Sequence, residues 1–220
     1  MPVRGSALKL REAVLSGDEA LADELTRLAL DEGNQPESIL KDVLAPALQE
    51  VGRLWKQGQL YMSNAVVSID AFQVAKEILL AHQGGRIKYT GKVVIGTVAG
   101  NEHLLGKKMI SGMLTSSGFE VIDLGQNVPA YAFIQAVRDE KPDVLGLGCY
   151  TSSAIYSLAE VVKLLRDSGL RESVKVTIGG ESTSQELADE LGVDIWGQDM
   201  LDTADKVMQL ISADKKPEVK

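Results

Sequence analysis

From Leu8 to Leu79 apolar residues recur at helical spacing. A weak run spans Leu8 to Leu15. Leu21, Leu25, Leu28 and Ala29 then follow Asp18, a good N-cap, and Gly33 ends that run. Pro36 suits the first turn of a helix, and Ile39, Leu40, Val43, Leu44, Leu48, Val51, Leu54 and Trp55 continue one face until Gly58 breaks it. Ser63 is placed to cap a last helix carrying Val66, Val67, Val74, Ile78 and Leu79, which ends near His82. The pattern predicts a four-helix bundle with Trp55 in its core.

Beyond the glycine-rich stretch Gly84 to Gly91 the period changes. Short β-branched runs at 92–98, 119–123, 143–148, 174–178 and 193–196 alternate with helical patterns near 104–117, 130–140, 153–168, 184–191 and 199–212. Strand and helix in alternation define an α/β protein with a flavodoxin/Rossmann-like five-stranded parallel sheet covered on both faces. The expected organisation is a helical domain over 1–84, a linker over 85–91, an α/β domain over 92–213 and a flexible tail over 214–220.

Composition narrows the function classes. The net charge of -8 argues against a nucleic-acid partner, which needs a basic face. No apolar run reaches membrane-spanning length, and the first residues lack the apolar core of a signal peptide, so a cytoplasmic protein without a membrane partner is expected. A single cysteine, Cys149, excludes an internal disulfide. By strand alternation its side chain should face away from Gly148 and Tyr150, as a buried structural thiol.

Open parallel sheets bind ligands outside the carboxyl ends of their strands. The loops expected there are rich in small residues: Gly100 to Gly106, Gly148 to Ser153, Gly179-Gly180 and Trp196-Gly197-Gln198. Neither G-x-G-x-x-G nor a P-loop is present, which argues against a nucleotide held by one glycine turn. Small residues on successive loops suit a broad, flat ligand laid over the sheet edge and inserted between strands. The first loop also holds His103, one of two histidines, and neutral imidazole is a common metal ligand. Gly106, three residues on, would let the backbone pass close to something bulky.

Asn101-Glu102-His103-Leu104-Leu105-Gly106 resembles the Asp-x-His-x-x-Gly loop of corrinoid (cobalamin) carrier proteins of methyltransferase systems, which are similar to the cobalamin-binding module of methionine synthase. Gly96-Thr97-Val98, Gly118 to Gly125, Gly179-Gly180 and, in the helical half, Val51 to Gly58 resemble the same family, and the likeness runs from about residue 6 to 212. It implies cobalamin bound with its dimethylbenzimidazole base off cobalt, and His103 as the lower axial ligand of the metal. Gly100, Asn101, Glu102, Leu104, Leu105 and Gly106 would surround that ligand. The nucleotide tail would run beside Gly148, Tyr150, Thr151 and Ser152 and over Gly179, Gly180 and Gly197. The helical domain would cap the upper face through the region of Met62 and Val66.

Two departures stand out. Asn101 replaces the family aspartate, so it can accept the second imidazole N–H but carries no charge to strengthen the ligand's push on cobalt. Gly148-Cys149-Tyr150 replaces Ser-x-Leu, which removes the hydroxyl that would bond the buried base. That leaves Thr151 and Ser152 to compensate, or a corrinoid with a different lower base to be preferred. The resemblance implies a non-catalytic methyl-carrying subunit serving a substrate-specific methyltransferase and an acceptor methyltransferase, together with a corrinoid reductive activase. The rivals are a cobalamin-dependent sensor, a degenerate relative without cobalamin, and a mutase-type subunit. Light sensors of the first kind carry Trp, nine residues, then Glu-His; counting from Trp55 gives Ala65-Val66 instead.

Overall fold

A computed structural model describes residues 3–82, 89–103 and 105–214, the last three by their backbone. Leu104, most of the expected linker and all but the first residue of the expected tail lie outside the described residues. The chain divides into two compact units, one of Met1–Lys88 with Thr115–Gly118 and one of Tyr89–Leu114 with Phe119–Lys220.

The first unit is helical: α1 (Ser6–Ser16), α2 (Glu19–Asp31), α3 (Pro36–Ile39), α4 (Ala45–Lys56) and α5 (Met62–His82). Asp18 caps α2 as expected, its carboxylate accepting from the Leu21 N–H at 2.9 Å. The start of α1 is capped through tertiary contact, because Glu32 accepts from both the N–H and the hydroxyl of Ser6 at 2.9 Å each.

The long apolar face from Ile39 to Trp55 is not one regular helix. Between α3 and α4 the turn Leu40–Leu44 widens into a π-helix, where the Ala45 N–H reaches back to the Leu40 carbonyl. Pro46 explains it. Proline has no N–H to return to the Asp42 carbonyl, and its ring would press on that group in a regular helix. Two smaller expectations also shift. α5 begins at Met62, so Ser63 lies inside its first turn rather than capping it. Trp55 is half-buried while Leu48 and Val51 are buried, because it sits in the last turn of α4 just before the chain leaves at Gly58.

The second unit is an all-parallel sheet of β1 (Gly91–Thr97), β2 (Phe119–Asp123), β3 (Val144–Gly148), β4 (Lys175–Gly179) and β5 (Ile195–Gly197). Their order is β2-β1-β3-β4-β5, the flavodoxin-like winding. Helices α6 (Leu105–Ser116), α7 (Ala130–Glu140), α8 (Ile155–Asp167), α9 (Gln185–Leu191) and α10 (Met200–Asp214) cover it.

Strand alternation separates two cores. Val94, Leu145, Leu147, Val176 and Ile178 pack toward α7 and α8, against Phe133, Val137, Leu158 and Val162. Val93, Ile95, Val144 and Ile195 pack the other way, against Ile110 and Leu114 of α6 and Ala204, Val207 and Ile211 of α10. On this second face the side chains thin out toward the carboxyl ends of β3, β4 and β5. Alternation there brings Gly146, Gly148, Thr177, Gly179 and Gly197 to the surface that α6 and α10 cover.

Candidate functional site

β1 leads outward to β2 on one side and its other neighbour is β3, so the crevice between the β1 and β3 loops is the topological switch point. Both sequence-predicted loops meet there. His103 leaves β1 and Tyr150 leaves β3, and their rings stack with centroids 5.5 Å apart and planes 20° from parallel. The bulky neighbour that Gly106 accommodates is this same tyrosine. A Cβ at Gly106 would sit 2.2 Å from the Tyr150 hydroxyl. Burial pushes the Tyr150 phenol above its usual pKa, which keeps it neutral beside the imidazole.

Asn101 determines how His103 is presented. Its Oδ1 lies 3.1 Å from the His103 backbone N–H and 3.0 Å from Nδ1. A backbone N–H can only donate, so the amide atom it meets must be the oxygen. That oxygen can only accept, so Nδ1 must carry the proton. In the neutral ring Nε2 is therefore the lone-pair nitrogen, the form that binds a metal. The imidazole lies on an exposed loop while Asn101 is 1% exposed. The Asn101 Nδ2 is buried and has no partner among the described residues.

Asn127 was missed by the sequence reading. It follows β2, adopts the left-handed region at φ 53°, and braces the histidine loop from both sides. Its Oδ1 accepts from the Gly100 N–H at 2.8 Å, and its own N–H donates to the Asn101 carbonyl at 2.9 Å. Thr97 adds a third tie, its hydroxyl donating to that carbonyl at 3.1 Å. The available signal was an asparagine in Gly125-Gln126-Asn127, a turn at a strand's carboxyl end. Asn127, Gly100, Glu102, His103 and Thr151 line an open cleft of about 320 Å³.

Beneath Tyr150 a second, enclosed space follows the glycine-poor-to-glycine-rich face of the sheet. Its floor includes Gly146, Gly148, Thr177 and Gly179, and Lys107, Ile110, Leu114, Thr203 and Val207 form its walls. Lys107 is buried, with its amine paired to Asp123. The cavity measures about 30 Å³, room for a water or two. Gly180, the next residue after Gly179, is a glycine for a different reason. At φ +117°, its Cβ would lie 2.3 Å from the Cys149 carbonyl oxygen, a backbone approach only glycine permits. Cys149 is fully buried on the α7 and α8 side, facing away from this space as alternation required, and burial raises its thiol pKa.

The remaining expected residues fall elsewhere. Thr151 lines the open cleft rather than the enclosed groove, and Ser152 is exposed in a short 3₁₀ turn, so neither stands where Gly148 lacks its hydroxyl. Leu105 is exposed at the start of α6, and Gly197 is buried with its Cβ position filled by Thr203. Met62 and Val66 lie four apart in the first turns of α5, both half-buried. The described residues hold no group of three or more His, Cys, Asp or Glu placed as a metal site. A lone imidazole therefore suits a metal that arrives already held by other ligands. A buried amide nitrogen awaiting a partner, together with a sheet face stripped to glycine, fits a large flat cofactor with a polar rim and an inserted arm.

An exposed imidazole at the switch point of a flavodoxin-like sheet, beside a slot between sheet and helices, suits a protein that binds a metal-containing cofactor. Comparison with known proteins identifies the cofactor. Residues 91–205 match the B12 binding domain, and residues 7–80 match a second model of the same description. The chain is 33% identical to a corrinoid protein of Desulfitobacterium hafniense over 92% of this chain and 94% of that one. It is 29% identical to trimethylamine corrinoid protein 1 of Methanosarcina acetivorans over 92% of this chain and 95% of that one. The methanol:cobalamin methyltransferase complex MtaBC of Methanosarcina barkeri contains a chain of the same fold, with TM-score 0.84, 25% identity, and 97% and 81% of the two chains covered. The chain belongs to the corrinoid-binding carrier proteins of methyltransferase systems, and cobalamin is its cofactor. No helix among the described residues is long and apolar enough to cross a membrane.

Proposed function

We propose that this protein carries a methyl group on cobalamin between a substrate:corrinoid methyltransferase and a second, acceptor methyltransferase, with His103 as the lower axial ligand of a base-off cofactor. The observation that carries the reading is the fixed tautomer of His103. Asn101 Oδ1 accepts from Nδ1–H, so in the neutral ring Nε2 is the nitrogen left to meet cobalt. The cofactor supplies the methyl-transfer chemistry, and the protein supplies binding, orientation and tuning. Thr97, Asn127 and Asn101 hold the loop so that the imidazole does not have to be ordered on binding. Asn101 is neutral where the resemblance expects aspartate. It positions the ring without adding charge, so its push on the metal is weaker than a carboxylate's.

The open cleft beside His103, lined by Gly100, Glu102, Asn127 and Thr151, is the proposed seat of the corrin rim. Gly148, Gly179 and Gly180 frame the slot for the nucleotide arm. Met62 and Val66 remain the proposed contacts of the helical unit with the upper face. The relatives' names support methyltransferase partners acting on methylated amines or methanol, and a corrinoid reductive activase completes the proposed set. A cytoplasmic setting fits one unpaired, buried thiol.

The test is reconstitution. Protein mixed with hydroxocobalamin and freed of excess cofactor should retain a corrinoid whose spectrum shows nitrogen ligation, and His103→Ala should lose that ligation. Failure to retain corrinoid would overturn the carrier reading, and identical spectra would overturn the ligand assignment. Methylation of the bound cofactor by a cognate methyltransferase separates a carrier from a sensor.

A further inference from the structure

The groove under Tyr150 holds one polar group that its surroundings leave unsatisfied. Thr177 is 5% exposed, and its Oγ1 has no hydrogen-bond partner among the described residues. Two other polar side chains along the groove are engaged, the Thr203 hydroxyl donating to the Asp199 carbonyl at 2.6 Å and Lys107 pairing with Asp123, and Tyr150 presents its phenol nearer the His103 side. A buried hydroxyl without a partner is costly and uncommon, which makes Thr177 a candidate for a partner that arrives with a ligand. A single trapped water is a poor substitute, since buried waters need two to four polar partners and the Thr203 hydroxyl and the Lys107 amine on these walls are already paired elsewhere.

Thr177 lies opposite Gly146 of β3, one layer below the paired Gly148 and Gly179. Thr97 and Tyr150 crowd the surface at Gly148, and Gly179 leaves it bare beside them. A Cβ at Gly179 would meet nothing closer than the Gly197 carbonyl at 3.6 Å and the Thr203 hydroxyl at 3.7 Å, so that space is free rather than filled. The slot therefore has flat glycine walls and a hydroxyl at its inner end.

Resting on the corrinoid reading above, we infer that Thr177 recognises the cofactor's lower base, its hydroxyl donating to the imidazole-type nitrogen of the base that His103 displaces. That nitrogen has a lone pair and no proton, so the hydroxyl donates and the nitrogen accepts. Thr177 thus supplies, from β4, the hydrogen bond that Gly148 on β3 cannot. It makes the protein selective for corrinoids whose lower base carries such a nitrogen. At about 30 Å³ the slot must widen to admit the base, and Tyr150 at its mouth is the side chain that has to move.

The test compares two probes on the full chain: aquocobalamin, which has the base, and diaquocobinamide, which lacks it. Thr177→Val keeps the shape and removes the hydroxyl. It should raise the dissociation constant for cobalamin about tenfold while changing that for cobinamide less than about twofold. Thr177→Ser should restore cobalamin binding. The ligand-free Thr177→Val protein should melt no lower than wild type, since an unpartnered hydroxyl has been removed. A second variant, Gly179→Ala, fills the slot without a clash and should also weaken cobalamin selectively. Equal effects on both probes, or none on cobalamin, would overturn the role of Thr177 while leaving the corrinoid reading intact. If wild type binds neither probe, the corrinoid reading itself falls.

Discussion

Asn101→Ala separates the two jobs that the asparagine side chain performs. It removes two accepted hydrogen bonds, from the His103 N–H at 3.1 Å and from Nδ1 at 3.0 Å, each worth about 1 kcal/mol net. It also removes a buried Nδ2 that has no partner, relieving a cost of about 1–3 kcal/mol. The two nearly cancel, so global stability should change by about 1 kcal/mol or less in either direction. The tautomer of His103 has no such compensation. Losing about 1 kcal/mol of preference for Nδ1–H shifts the tautomer ratio roughly fivefold toward Nε2–H, which places a proton on the nitrogen proposed to meet cobalt. Loss of a partner that orients a ligating histidine costs roughly 10–100-fold in metal affinity. The assay is a two-bond proton–nitrogen correlation spectrum of the nitrogen-labelled, ligand-free protein under mildly alkaline conditions, with the His103 signals assigned against His82 by a His103→Gln sample. Wild type should show unprotonated Nε2 and Asn101→Ala should move toward protonated Nε2, while Asn101→Asp keeps the wild-type pattern. A wild-type spectrum dominated by Nε2–H, or no change in Asn101→Ala, would refute the reasoning.

Other substitutions probe the frame. Gly180→Ala forces a Cβ to within 2.3 Å of a backbone oxygen at φ +117°, and since neither partner can rotate away it should cost about 3 kcal/mol or more in urea unfolding; a loss under about 1 kcal/mol would mean that the turn is more yielding than its geometry. Asp18→Ala removes the cap of α2 and should cost about 1 kcal/mol, read from the same unfolding curves. Cys149 should resist iodoacetamide in the native protein and react once unfolded, because burial keeps the thiol protonated. Its linkage has a definite sign. Above about pH 8.5 the unfolded chain's thiol ionises while the folded one, raised in pKa, does not; the unfolded state then binds fewer protons and stability falls with rising pH. Cys149→Ala should flatten that slope between mildly alkaline conditions and the folded thiol's higher pKa.

Much of the fold was legible because it rests on local periodicity. The order of strands and helices follows from a period that switches between 2 and 3.6, and α7 runs over the very residues, 130–140, that the pattern marked. Asp18 announced α2 because an N-cap is a local interaction. What failed was also local in cause but weaker in signal. Pro46 hid inside an unbroken apolar face, since a π-turn can absorb a proline without interrupting the buried stripe. Trp55 kept helical spacing with Leu48 and Val51, yet spacing does not say where a helix ends.

The sequence by itself determined the alternation of strand and helix, the loops at the strands' carboxyl ends and, through family resemblance, the histidine expected to meet cobalt. It determined that Asn101 is neutral and that Gly148 has no hydroxyl. Only the tertiary structure decided how those facts combine. Tyr150 stacks on His103 from another strand, Asn127 braces the histidine loop from a third, and a buried hydroxyl without a partner among the described residues comes from Thr177 on a fourth. The physical reason is register. Residues far apart in the chain become neighbours when parallel strands align, and whether a polar atom finds a partner depends on every strand and helix around it.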